Sequence, residues 1–479
     1  MPIDSRHPDY ISHYPEWSKC SDFNEGATAV KEKGKLYLPR PQGMTAYEYN
    51  AYRHRASFFN GVGRTVTGLV GAMSRVDAEV KLPPLISDLE EDATGNGKTL
   101  QELIKQVLSR VMTTGRIGIL VDRQDNDPAR LIPYNEKSIV NWREENGQLI
   151  LVVLEEFILE TDEKDPYESE IVPQYRELWI DRESNYKARI WQRVKTKSST
   201  ARPKFSPGPV ISPQSSKGPL KYIPFVFCSP VGTESTVVKA PLVDLCDINL
   251  SHYMVSADLE HGRHMVSLPT PWVTGINADD YKKGLKIGSG TAWLIDDTAA
   301  RVGMLEFTGN GLGHLAEAIS EKQHQMAIMG AKLLQPQRKQ VESAELARMA
   351  NAGDESILIG ISKSVGLGME SALQFAAEWE GASPEAVDLR MNVDFIDTKL
   401  AADEIKALNE LYLSDVISLM EFLEQLKLGE RLVGDPEEVA AEAVSQAEAK
   451  QKQALVMAAT TRSNDAGGDR EDGAAERDS

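Results

Sequence analysis

Apolar residues in the first half of the chain recur first at helical and then at strand spacing. Tyr52, Ala56, Phe59, Gly63, Val66, Val70 and Met73 alternate between steps of four and three. That spacing lines one face of a helix and predicts that the face is buried. Thr45 and Glu48 form a capping box at its start. Gly63 within the apolar row predicts close approach of another backbone. Thr99 and Glu102 open a second helix with the stripe Leu100, Leu103, Ile104, Val107, Leu108 and Val111, and Gly115 is its expected stop. Residues 1–44 are rich in Pro, Tyr and charge with weak periodicity, and read as an extended arm.

Strand patterns follow. Ile117–Val121 and Leu149–Leu159 are apolar runs. Arg176–Ile180 and Ala188–Val194 flank Glu183-Ser184-Asn185, a hairpin signal. Lys195–Lys221 carries six basic and no acidic residues among many Ser and Pro, and reads as a flexible solvent loop. Tyr222–Phe227 closes this β-rich part.

The second half begins with a long helical pattern, Pro241–Val266, with Pro241 suited to a first helical position. It ends at Leu268-Pro269-Thr270-Pro271. A compact insert follows, with strand-like pieces at Thr291–Ile295 and Val302–Phe307. A second helix then runs back from Gly313 to Gly330. Two long helices joined by a small folded tip suit a mechanical or assembly part better than an enzyme pocket. Ser343–Trp379 is a helical tract rich in Ala, Gly and Ser, which permits tight packing. Val387, Leu389, Met391, Val393 and Phe395 alternate with polar residues, which predicts a strand with one wet face. Residues 399–460 read as two or three helices, and 461–479 as a disordered acidic tail. The expected fold class is α+β, mainly α-helical.

Charge narrows the functions. The formal net charge is −19. Residues 399–479 hold 18 acidic and 9 basic side chains. A tight DNA-gripping protein is usually basic, because affinity comes from neutralising phosphates. A negative wall could instead let a polyanion slide past. Cys20, Cys228 and Cys246 form no CxxC pair and read as reduced thiols. The start MPIDSRHPDY has no apolar signal core, and no apolar run is long enough to cross a bilayer.

No motif makes a convincing catalytic centre. Gly95-Asn-Gly-Lys-Thr99 lacks the first glycine of a phosphate-binding loop, where Asp92 stands, and reads as a turn into the Thr99-capped helix. Gly309-Asn-Gly-Leu-Gly313 has His314 at the third glycine of a dinucleotide motif and reads as a turn into the return helix. His261 and His264 share a helix beside Glu260 but lack a third ligand at motif spacing. Adjacent acids such as Asp279-Asp280 and Asp296-Asp297 read as surface charge. The chain is expected to have no enzymatic activity, no cofactor and no metal.

The order of parts resembles the portal proteins of tailed bacteriophages over roughly residues 45–435. Tyr134–Trp142 with the Leu149–Leu159 strand looks like the family's wing β-region. Pro241–Tyr253, continuing to Leu268–Gly275, looks like its first stem helix running into the clip. Met329–Leu334 and Glu342–Glu345 resemble the run from second stem helix through tunnel loop to long wing helix. Ile417–Lys427, with its Ser-x-x-Glu start, resembles the approach to the crown.

The resemblance implies a portal-type subunit with an N-terminal arm (1–44) and a wing of helices and β-sheet (45–240). The stem helices would be 241–267 and 309–330, joined by a small α/β clip at 268–308. A tunnel loop (331–341), a long wing helix and strand (342–398), helical crown (399–460) and tail (461–479) complete it. It further implies a homo-oligomeric ring, usually a dodecamer, at the capsid vertex of the virion, assembled in the host cytoplasm and without membrane contact. Double-stranded DNA would pass through it, held weakly and non-specifically, during packaging and ejection. Its partners would be the major capsid protein, the terminase large subunit and the head–tail adaptor. On this map Leu312, Leu315, Ile319 and Met326 face neighbours, while Glu317, Glu321 and Gln325 face the channel. Lys332, Gln337, Arg338 and Lys339 are further channel-lining candidates, and Asp279, Asp280, Lys282 and Lys283 are clip docking candidates. Two other readings are a helical adaptor or scaffold without a channel, and a nucleotide-utilising enzyme suggested by the incomplete glycine motifs.

Overall fold

The computed structural model describes residues 2–123, 127–161, 165, 167–194, 204–215, 217–267, 270–275, 299–305, 309–334, 357–393, 402–414, 416–428, 439–442 and 445. The fold is mixed α+β, with its strands in small antiparallel sheets. The chain divides into two units, Met1–Phe395 and Ile396–Ser479.

The N-terminal segment is not an extended arm. It forms helices α1 (Pro8–Glu25) and α2 (Ala27–Glu32). The His7 side chain accepts from the Asp9 N–H at the start of α1, and Pro8 stands where its missing N–H costs nothing. Tyr10, Trp17, Cys20 and Phe23 are buried in the main core, at helical steps that Pro15 and the intervening charges obscure in the sequence. The stripe read as one helix over 45–73 is two, α3 (Ala46–Arg55) and α4 (Gly61–Met73). The break falls where Asn60 turns its side chain onto the Gly63 N–H, at 2.9 Å. Both predicted capping boxes form, at Thr45/Glu48 and at Thr99/Glu102 opening α5 (Leu100–Thr114). Gly115 closes α5 in the left-handed region, at φ 76°. Gly63 does meet another backbone: a Cβ there would lie 2.8 Å from the Asn24 carbonyl oxygen.

Strand β1 (Glu79–Lys81) lies between α4 and α5, and β2 (Ile117–Asp122), β3 (Arg130–Asn135) and β4 (Ile139–Glu145) follow α5. Then come β5 (Gln148–Thr161), β6 (Ser169–Ile180) and β7 (Tyr186–Arg193). The predicted hairpin is β6–β7, with Leu178 opposite Ala188. The region read as a solvent loop is partly packed, which corrects that expectation. Within it, β8 (Phe205–Pro207) extends the sheet to the order β4-β5-β6-β7-β8, and β9 (Gln214–Ser215) pairs β10 (Gly218–Pro219). Leu220 is buried, and the Trp379 indole N–H donates to the Gln214 carbonyl at 3.1 Å. The burial of apolar side chains there outweighs the surrounding Ser, Pro and Lys. Strand β11 (Phe225–Cys228) joins β2 and β3 in a buried three-stranded sheet, order β11-β2-β3.

Helix α6 (Val243–Ser267) begins two residues after Pro241, because a turn from Ala240, closed by the Val243 N–H, precedes it. Strands β12 (Thr270–Thr274) and β13 (Arg301–Leu305) form an antiparallel hairpin, followed by α7 (Leu312–Leu334). Thr291–Ile295 lies outside the described residues. So does 343–356, and the described part of the Ala/Gly/Ser tract is α8 (Ile357–Glu380). Its small residues do allow tight packing: Cβ atoms at Gly366 and Gly368 would lie 2.7 Å from Met391 Cγ and 2.5 Å from Cys228 Sγ. The predicted strand 387–395 is shorter than expected. Among its described residues only β14 (Asp388–Arg390) pairs, with the three residues of β1, and Val393 is exposed; Phe395 lies outside the described residues.

In the second unit, α9 (Ala402–Leu413) and α10 (Leu419–Leu428) are joined by stacking of Tyr412 on Phe422, centroids 5.3 Å apart. The Ser418/Glu421 start of α10 is a reciprocal cap. Residues 461–479 lie outside the described residues.

If α1 is core rather than arm, Trp17→Ala removes a fully buried indole. The expected loss of unfolding free energy is about 3–5 kcal/mol, read from a urea melt; an unchanged midpoint would contradict the packing.

Candidate assembly site on the paired helices

The two long helices run antiparallel. Contacts move up one as they move down the other: a Cβ at Gly262 would lie 2.6 Å from Leu312 Cδ2, and His252 Nε2 lies 3.2 Å from Gln323 Nε2. On α6, Cys246, Asn249, Tyr253, Ser256 and Ala257 are buried at steps that keep one face inward. From Glu260 to Ser267 no residue is fully buried. On α7 Met326 is buried, and Leu312, Leu315 and Ile319 are half-buried. Within the chain, α7 meets α6 and α4.

Asn249 fastens the pair to the body. Its Oδ1 accepts from the Gly61 and Val62 N–H groups at 3.1 and 3.2 Å, and its Nδ2 donates to the Phe59 carbonyl at 2.9 Å. One buried amide thus satisfies the orphan donors at the start of α4 and ties them to α6. A Cβ at Gly61 would lie 2.7 Å from Met326 Sδ, so α7 closes over the same joint. Tyr52 OH donates to Asp258 Oδ1 at 2.6 Å, joining α3 to α6. The sequence reading passed over Asn249, His252 and Asp258. A polar residue on an otherwise apolar helix face was the available signal.

The opposite face of α7 carries His314, Glu317, Glu321 and Gln325, all exposed. His314 Nδ1 lies 3.4 Å from Glu317 Oε2, and Gln325 Nε2 donates to Glu321 Oε1 at 3.2 Å. Three of the channel-lining candidates, Glu317, Glu321 and Gln325, therefore share one polar, solvent-facing stripe. Lys332 lies in the last turn of α7, but its side chain is outside the description, as are Gln337, Arg338 and Lys339. Asp279, Asp280, Lys282 and Lys283 also fall outside the described residues.

The glycine motifs are turns. Asp92 Oδ1 accepts from the Gly95 and Gly97 N–H groups at 2.9 and 2.8 Å, so a carboxylate already fills the place a phosphate would take. Gly309 accepts from the Leu312 N–H at the start of α7. His261 packs edge-on to Tyr52, centroids 5.4 Å apart, with Arg55 beside its ring. Among the described residues, no three His, Cys, Asp or Glu side chains gather to hold a metal ion.

Comparisons with known proteins add the following. A family model described as a domain of unknown function, DUF4055, matches residues 241–380. That span runs from the turn before α6 to the last residue of α8. No curated protein matches the chain. Among solved structures, a chain from the virion of a native gene transfer agent particle matches with TM-score 0.36 and 11% identity, covering 83% of this chain and 98% of that one. A chain from the neck of an empty particle, computed with C6 symmetry, matches with TM-score 0.38 and 11% identity over 85% and 99%. One from the neck of a native particle, computed with C12 symmetry, gives 0.37 and 11% over 83% and 98%.

Two outcomes follow for the joint. Asn249→Ala leaves the Val62 N–H unpaired and the Gly61 N–H and Phe59 carbonyl with only each other, and is expected to cost about 1–3 kcal/mol, measured by urea unfolding. Acid should also loosen it. Burial lowers the pKa of His252 first, with Lys322 adding to the effect, and burial likewise lowers His7 and His261. The unfolded chain then binds more protons than the folded one as pH falls below about 6.5, so stability drops through that window. A urea midpoint that rises on acidification from pH 7.5 to 5.5 would contradict this.

Proposed function

We propose that this chain is the subunit of a portal-type ring through which double-stranded DNA passes at the vertex of a phage-like particle. The observation that carries the proposal is the α6–tip–α7 hairpin, whose return helix packs one face inward and leaves Glu317, Glu321 and Gln325 on the other. In a ring of about twelve copies these side chains would repeat around a bore. Carboxylates facing phosphate repel it at close range, which prevents adhesion. The net charge of −19 is consistent with passage rather than grip.

On this reading α6 and α7 are the stem, and the segment between them is the clip that docks the terminase and later the head–tail adaptor. Asp279, Asp280, Lys282 and Lys283 supply charge for that docking. The segment expected at 331–341 as tunnel loop starts within α7, which runs to Leu334; on this reading Lys332 in that last turn, with Gln337, Arg338 and Lys339 beyond it, makes transient phosphate contacts. The helices and sheets of 45–240, with 342–398, form the wing set in the capsid shell, and residues 399–460 form the crown. The protein performs no chemistry of its own and needs no cofactor.

The purified chain is expected to assemble into rings near twelve subunits with a central hole, seen by mass photometry and negative-stain imaging. Neutralising Arg338 and Lys339 together is expected to shorten or destabilise the packaged genome while leaving ring mass unchanged. A compact monomer at every concentration would overturn the ring, and unchanged genome length and retention would remove the tunnel contact.

A further inference from the structure

Cys20 on α1 and Cys246 on α6 are far apart in sequence, yet their Sγ atoms lie 3.5 Å apart, and both residues are fully buried. The backbones on either side are fastened. Lys19 Nζ lies 2.5 Å from Asp247 Oδ1, and Glu16 Oε1 accepts from the Ala240 N–H at 2.7 Å. Cys228 sits elsewhere, on β11 against α8.

We propose that Cys20 and Cys246 are an oxidisable dithiol that closes into a covalent staple between α1 and α6. A disulfide needs an S–S distance of about 2.05 Å, so closure asks for rotation of two side chains between helices already held in register. At rest the pair is inert. The hydrogen bond from the Cys246 thiol to Cys20, with burial, raises the Cys246 pKa and keeps it protonated. Reaction therefore waits for local opening of α1 from α6 and for a small oxidant such as hydrogen peroxide.

The step balances. One thiol gives two electrons to the peroxide O–O bond, becoming a sulfenic acid and releasing one water. The second thiol attacks that sulfur, forms the S–S bond, and releases a second water. The product bridges residues 20 and 246 and so ties α1 to the helix that carries the projecting pair. A chain folded in a reducing compartment and later exposed to an oxidising medium would acquire this lock without refolding. The inference concerns the chain itself and stands whether or not it forms a ring.

The test uses the full chain. Stepwise hydrogen peroxide is followed by denaturation, alkylation with N-ethylmaleimide, digestion and mass spectrometry. The expected result is loss of two of the three free thiols, appearance of one intrachain Cys20–Cys246 peptide pair, retention of alkylatable Cys228, and reversal by dithiothreitol. Cys20→Ser should abolish the pair and leave Cys246 alkylatable. Sulfinic or sulfonic acid without a cross-link would overturn the proposal, as would a bridge that uses Cys228 or joins two chains. So would three intact thiols at a peroxide level that oxidises the unfolded chain.

Discussion

The structure of the first unit depends on how the helix pair is anchored, and one buried amide, Asn249, ties it to the start of α4. A helix start leaves backbone N–H groups with no internal partner, and burying them unpaired is costly. Asn249 meets two of them at α4 and also donates to the preceding turn. The requirement is directional, unlike apolar burial, so it sets rotation and height of α6 against the body. The Met326 sulfur stands where a Cβ at Gly61 would clash, which places α7 over the same point.

A second constraint is the buried Arg116. Arg116 is almost wholly buried, with its guanidinium carbon 4.3 Å from the Trp142 ring centroid and 3.9 Å from that of Phe227. Its Nη1 donates to the Ser235 carbonyl at 2.7 Å. Burial pushes its pKa down to about 9, so it is still charged at neutral pH. Two aromatic faces provide the attraction that water would otherwise supply. Through His7, stacked on Trp142 at 4.0 Å, the same cluster fixes the chain ahead of α1. The N-terminal helix is thereby held at both ends, by Arg116 and its rings at one and by the Cys20–Cys246 region at the other.

Local chemistry was legible wherever it is decided within a few residues. The capping boxes at Thr45, Thr99 and Ser418, the Gly115 stop, and the β6–β7 turn each depend on neighbours three or four positions away. The glycine clusters resolved as turns for the same reason, with Asp92 supplying its own anion. The arm that became α1 was illegible because Pro15 and interspersed charges dilute its stripe, while the elements it packs on, α4, α5 and α6, are distant in sequence. The wet loop that became β8–β10 was obscured by composition. Of the candidate site, the sequence displayed the polar stripe of α7 but not the residues that hold that helix in place.

The sequence by itself determined two long helices with a small tip between them, an acidic balance, and one face of the return helix reserved for polar side chains. Those properties follow from spacing and charge, which are local and additive. Only the tertiary structure decided that Asn249 caps another helix, that Met326 rests on Gly61, and that Cys20 meets Cys246. Each of these joins residues more than a hundred positions apart, and a contact of that kind has no period to read along the chain.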